Sequence, residues 1–157
     1  MGIETCPKRY RPIGSGEVQG STVNGMSDYV QLAQKVVDAY NDKDVDAFID
    51  MYAEGADVVF PDLAAPDREE MIAEFHEIIE AIPDRHFDVS RIVATEKGAM
   101  VECITKGTNT GPLFGMPPTN KELALPMIHI YDFENGKVVR QRCYSNYQIL
   151  MQQLTGE

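Results

Sequence analysis

The sequence predicts an α+β domain in which helices cover one face of an antiparallel sheet. Two observations carry that reading. Apolar residues recur at helical spacing between about residues 27 and 82, and from residue 86 to 145 the texture changes to strands separated by Gly, Pro and Asn turns. A run of helices followed by a run of strands segregates the two kinds of structure. The chain has 157 residues, of which 43% are apolar, enough for one ordinary domain and too few for a second.

The elements follow in order. Residues 1–26 contain five glycines and two prolines without an apolar period, which predicts a flexible tail and places the domain at 27–157. From Ser27 or Asp28, Val30, Ala33, Val36, Val37 and Tyr40 form the stripe of a first helix, closed by Asn41 and Asp42. Asp44 can cap a second, striped by Val45, Phe48, Ile49 and Tyr52. Asp57 to Phe60 reads as a short strand stopped by Pro61. Asp67 and Glu70 make a capping-box pattern ahead of Met71, Ile72, Phe75, Ile78, Ile79 and Ile82, the third helix. Strands are expected at about 86–95, 98–108, 122–133 and 138–145, and Leu150, Met151 and Leu154 suggest a short closing helix.

Composition excludes several classes. Twenty-five acidic against 14 basic residues give a net charge of −11, which repels phosphate backbones, so neither nucleic acid nor an anionic membrane is an expected partner. No apolar run approaches a membrane span and no signal-peptide pattern opens the chain, so a cytoplasmic location is expected. Cys6, Cys103 and Cys143 lack CxxC spacing, and His76, His86 and His129 lack a ligand pattern, so neither a disulfide framework nor a metal site is expected. Phosphate loops, GxGxxG, GxSxG and HExxH are all missing. A sheet curled around helices can still enclose a small apolar cavity with a few polar groups in its wall.

The segment Gly107-Thr-Asn-Thr-Gly-Pro-Leu-Phe-Gly-Met-Pro-Pro-Thr119, then Met127-Ile-His-Ile-Tyr131, the Glu134-Asn-Gly-Lys137 turn and Gln153-Leu154 resemble the SnoaL-like polyketide cyclases. Ala39-Tyr40-Asn41 fits too, and the likeness covers about residues 28–156. It implies the nuclear-transport-factor-2-like fold, a cone-shaped curved antiparallel sheet wrapped around N-terminal helices, and a homodimer through the outer sheet face, where Ile128 and Ile130 would pack. It also implies cofactor-free aldol ring closure by a histidine in the penultimate strand and an aspartate in the last. The histidine matches His129, but the aspartate position falls on Cys143 and a second acidic position on Asn146. Where the family's Gly-Thr-His-Thr-Gly stretch has histidine, this chain has Asn109.

Strand pairing decides whether His129 and Cys143 meet. A two-residue Asn135-Gly136 loop sets His129 opposite Arg142 and on a face with Tyr144; a three-residue loop with Gly136 in a bulge sets it opposite Gln141. The second register is preferred, because it sends Arg140 and Arg142 to one face and Val139, Gln141 and Cys143 to the face of His129. Two buried arginines without acidic partners would be costly. His129 and Cys143 then become diagonal neighbours, the candidate catalytic pair, in a wall with Met127 and Tyr131.

The candidate substrate-binding residues are Tyr40, whose hydroxyl needs a partner, Phe60 and Asp62 at the end of the short strand, Met116 and Met127 as adaptable apolar lining, Tyr131, and Tyr144 and Asn146 as donors. His76, among Glu74, Glu77 and Glu80, reads as part of a solvated face. Together these describe a cofactor-independent enzyme of cyclase, isomerase or dehydratase type acting on a small, largely apolar carbonyl compound. The rival reading is a non-catalytic binding domain that kept the cone and lost the carboxylates. An epoxide hydrolase would want an Asp-Arg-Asp set, which Asp132, Arg140 and Arg142 do not convincingly supply.

Overall fold

Four helices and five strands build the protein, seen in a computed structural model that describes residues 24–61 and 65–156. Helix α1 spans Asn24–Asn41 and α2 Val45–Asp50; strand β1 is Tyr52–Val59, and α3 is Arg68–Ala81. Strands β2 (His86–Ala94), β3 (Gly98–Thr108), β4 (Glu122–Glu134) and β5 (Lys137–Ser145) follow, then α4 (Tyr147–Thr155). Most of the expected tail lies outside the described residues, although α1 begins three residues before Ser27.

The local signals act as their chemistry requires. Asp44 caps α2 by accepting from the Ala47 amide at 3.0 Å, and Asp67 and Glu70 close the capping box of α3 at 2.9 Å in both directions. Helix α2 is shorter than its stripe suggests. Tyr52 instead opens β1, which runs from Tyr52 and not from Asp57.

The sheet order is β1-β5-β4-β3-β2. Four strands form an antiparallel meander, whereas β1 joins β5 in parallel, so the sheet is mixed and not wholly antiparallel. A helix intervenes between β1 and β2, so β1 is free to add at the far edge.

The β4–β5 register differs from both alternatives expected. Asn135 (φ 51°) and Gly136 (φ 75°) form a two-residue turn with both residues left-handed, the geometry of a tight hairpin. A bulge at Val139 then adds one residue to β5, after which His129 pairs directly with Cys143 and Tyr131 with Gln141. The preferred facing survives with a different pairing: Gln141 and Cys143 share the inner face with His129, while Val138, and not Val139, is fully buried. Arg140 and Arg142 do point outward, where Arg142 meets Asp57 at 2.5 Å and Arg140 approaches Asp132 at 3.9 Å.

The core fills the concave face. Val36 and Val37 of α1, Phe48 and Ile49 of α2, and Met71 and Phe75 of α3 pack on Val101, Cys103, Tyr131, Phe133 and Val138. A smaller cluster of Ala81, Ile82, Leu113, Leu123 and Leu154 ties α4 and the 109–121 loop to the end of α3. Close packing has a visible constraint at Gly98, where a Cβ would lie 1.8 Å from the Tyr131 carbonyl oxygen.

Candidate active site

Between the concave sheet face, α1, α3 and the start of β2 lies an open-mouthed cleft. Phe48, Phe60, Phe75, Phe87 and Leu125 make its walls apolar; Tyr40, Glu74, Arg85, His129, Cys143, Ser145 and Tyr147 are its polar members. That proportion suits a small, mostly apolar ligand held by a few placed groups.

Strand alternation puts Met127, His129 and Tyr131 on the inner face of β4. His129 is 4% exposed, and its Nδ1 lies 3.2 Å from Nε2 of Gln141. The other end of that amide accepts the Tyr52 hydroxyl at 2.5 Å. A phenol that donates to the amide oxygen turns the amide nitrogen toward the imidazole. Nδ1 therefore accepts, and this hydrogen-bond chain assigns the ring proton to Nε2. Burial, reinforced by the charge of Arg85, pulls the His129 pKa down to about 4, so the ring is neutral at pH 7. Its Nε2–H faces Cys143 Sγ at 4.0 Å. Burial likewise raises the Tyr52 hydroxyl, with the charges of Cys143 and Glu74 adding to it, so it stays a protonated donor.

Arg85 is only 5% exposed. Its guanidinium carbon sits 3.8 Å from the centre of the Tyr40 ring, while Phe87 stacks on the same ring at 3.8 Å and 6°. Two groups that close must occupy opposite faces, so Tyr40 is sandwiched between cation and aromatic ring. Phe87 in turn meets the His129 ring at 5.0 Å.

Of the residues singled out from the sequence, Tyr40, Phe60, Met127, His129 and Cys143 line this cleft. Tyr131 does not: it lies behind His129, stacked at 5.9 Å and 1% exposed, as part of the core. Met116 packs on the smaller cluster beside Leu113. Tyr144 faces outward at 58% exposure, because the alternation that turns Cys143 inward turns its neighbour away. Asn146 spends its side chain capping α4, accepting from the Gln148 amide at 3.0 Å. Asp62 lies outside the described residues. Asp132 and Arg140 meet on the outer face, away from the cleft.

Glu74, Arg85 and Tyr52 are among the residues of the site that the sequence pattern did not single out. Glu74 is in the cleft, although it reads as part of a solvated face; it lies on the Met71, Phe75 and Ile78 stripe of α3, and that phase was the available signal. Arg85 is in phase with Phe87 and Val89 and not with exposed His86 and Asp88, which points it inward. Tyr52 is an ordinary core position until the fold pairs β1 with β5 and brings it to Gln141, which the sequence places on the face of His129 without giving it a role. Asn109, where the family's stretch has histidine, braces the loop: its amide nitrogen donates to the Gly111 carbonyl at 2.8 Å, and its oxygen accepts from the amide and hydroxyl of Thr119, each at 2.9 Å. No group of His, Cys, Asp and Glu able to hold a metal is found among the described residues.

A curved, unclosed five-strand sheet on N-terminal helices, with a cleft on the concave side, is the nuclear-transport-factor-2-like fold. The profile of the SnoaL-like polyketide cyclases matches residues 30–154, and the chain belongs to that family. A candidate SnoaL-like polyketide cyclase from Jannaschia sp. CCS1 superposes with a TM-score of 0.78 at 18% identity, over 88% of this chain and 99% of that one. AclR, a candidate hydroxylase from Streptomyces galilaeus, gives 0.76 at 22% identity over 84% and 83%. IdmH, a candidate polyketide cyclase from Streptomyces antibioticus, gives 0.68 at 20% identity over 80% and 97%. No curated protein sequence matches the chain.

Proposed function

We propose that the protein is a cofactor-independent enzyme of the cyclase, isomerase or dehydratase type, acting on a small, largely apolar carbonyl compound bound in the cleft. The observation that carries this reading is His129, buried and neutral at the cleft wall, with Nδ1 held by Gln141 and Nε2–H directed at Cys143 Sγ, a weak acceptor that a ligand oxygen entering the cleft would displace. Such a donor, fixed before the substrate arrives, stabilises the negative charge that grows on a carbonyl oxygen as a neighbouring carbon loses its proton. Glu74 supplies the carboxylate in the same cleft and is our candidate for the base. Membership of a cyclase family supports the reaction class.

The test is capture: incubation of the protein with a cell extract and mass spectrometry of what co-purifies, followed by a search for the compound's transformation. A captured carbonyl compound that is consumed supports the reading. A compound bound but never transformed favours the second reading, a binding domain, which Cys143 and Asn146 support by standing where the family's carboxylates would be. We further propose that two chains pair through the outer sheet face, where Ile128 and Tyr144 are exposed; light scattering that reports a monomer refutes it.

A further inference from the structure

Arg85 is the cation of the cleft, and the described residues leave its charge unneutralised. None of the ion pairs among them involves it. The adjacent carboxylate, Asp84, is committed elsewhere: its Oδ1 accepts the Thr108 amide at 2.7 Å and its Oδ2 the Thr108 hydroxyl at 3.1 Å. Glu74 lines the same cleft but forms no ion pair with Arg85.

Burial lowers the Arg85 pKa to about 9; the group is still charged at neutral pH. Its contact with the Tyr40 face recovers only part of the hydration that burial removes. A chain with a net charge of −11 has thus placed a desolvated cation in an apolar cleft, where an anion would gain most from it.

We propose that Arg85 is a substrate-binding residue that receives an anionic oxygen, so that the compound accepted by the cleft is a small, apolar acid carrying a carboxylate. The inference rests on the reading of the cleft as a ligand site and adds the charge of its ligand. Guanidinium presents a planar fork that matches a carboxylate, and a charge-assisted pair in a dry site discriminates strongly against a neutral isostere. Tyr40, clamped between Arg85 and Phe87, keeps the fork aimed, and the apolar wall of Phe60 and Leu125 suits a ring-bearing acid.

The experiment compares 2-naphthoate with 2-naphthamide, which share shape and differ in charge, by calorimetric titration of the full chain at pH 7. Naphthoate is expected to bind at least about tenfold more tightly. Arg85→Gln should bring the two within about twofold of each other, and Arg85→Lys should keep part of the preference. The wild-type comparison stands whether or not the glutamine variant folds. Equal binding of acid and amide by the wild type overturns the role of Arg85 while leaving the cleft a ligand site. A preference that persists in folded Arg85→Gln also overturns it. Binding of neither compound overturns the proposal together with the reading of the cleft.

Discussion

His129 is held by a chain that runs Tyr52 to Gln141 to His129, every link buried. That arrangement makes the ring a donor into the cleft, so replacing it should be costly to turnover. His129→Ala is expected to lower turnover of a captured substrate by at least about a hundredfold, whereas Cys143→Ser, similar in size and hydrogen bonding, should cost much less. Steady-state kinetics of both folded variants checks this; a dead Cys143→Ser beside an active His129→Ala would move the chemistry to the thiol. A second consequence concerns pH. The unfolded histidine titrates near ~6.5 and the native one near about 4, so between those values the unfolded chain binds the extra proton. Stability attributable to His129 is therefore whole above about pH 6.5 and declines as pH falls toward 4, by roughly 3 kcal/mol in all. Asp57, Asp84 and Asp88, held below their usual range by Arg142, Thr108 and Lys106 respectively, lose their contributions only below the carboxylate range of about 3.9. Urea unfolding at pH 7, 5.5 and 4.5 should show the decline in the wild type and a flatter profile in His129→Gln.

At the scale of elements, the 107–119 loop depends on one side chain. Asn109 is 1% exposed and bonds to Gly111 and Thr119, closing the loop against the end of α3. Asn109→Ala strands buried backbone groups, so a loss of about 2–4 kcal/mol is expected, measured as a lower denaturant midpoint with unchanged slope. The β4–β5 hairpin offers a smaller test. Gly136→Ala places a Cβ at φ 75° and should cost about 1 kcal/mol without altering the register that the Val139 bulge sets.

For the whole molecule, three helices meet over the concave side of the curved sheet through the aromatic rings of Tyr40 from α1, Phe48 from α2 and Phe75 from α3, 5.0–5.8 Å apart, and these rings wall the cleft. Outer-face ion pairs such as Arg91 with Glu102 and Lys106 with Asp88 are exposed and add little to stability. Residues before Asn24 show no apolar period with which to dock on this core. A chain beginning at Asn24 should therefore keep its thermal midpoint within a few degrees, and a large fall or insolubility would show that the segment belongs to the folded domain. No helix among the described residues is long and apolar enough to cross a membrane.

The order of elements, the helix caps and the alternation within β4 are written in the sequence, because each depends on spacing within one segment. Asp67 and Glu70 specify the start of α3, and the alternation of Met127, His129 and Tyr131 specifies one face of β4. Contacts between distant segments set what spacing cannot carry. The parallel docking of β1 on β5 brought Tyr52 to Gln141 and so chose the tautomer of His129. A bulge of one residue, invisible as a pattern in Val138 and Val139, chose its partner strand position. The charges in the cleft were legible only as residues out of phase with solvent, Glu74 on an apolar stripe and Arg85 in step with Phe87. Whether such a residue faces a void or a neighbour is set by packing between distant elements, and the local sequence does not contain it.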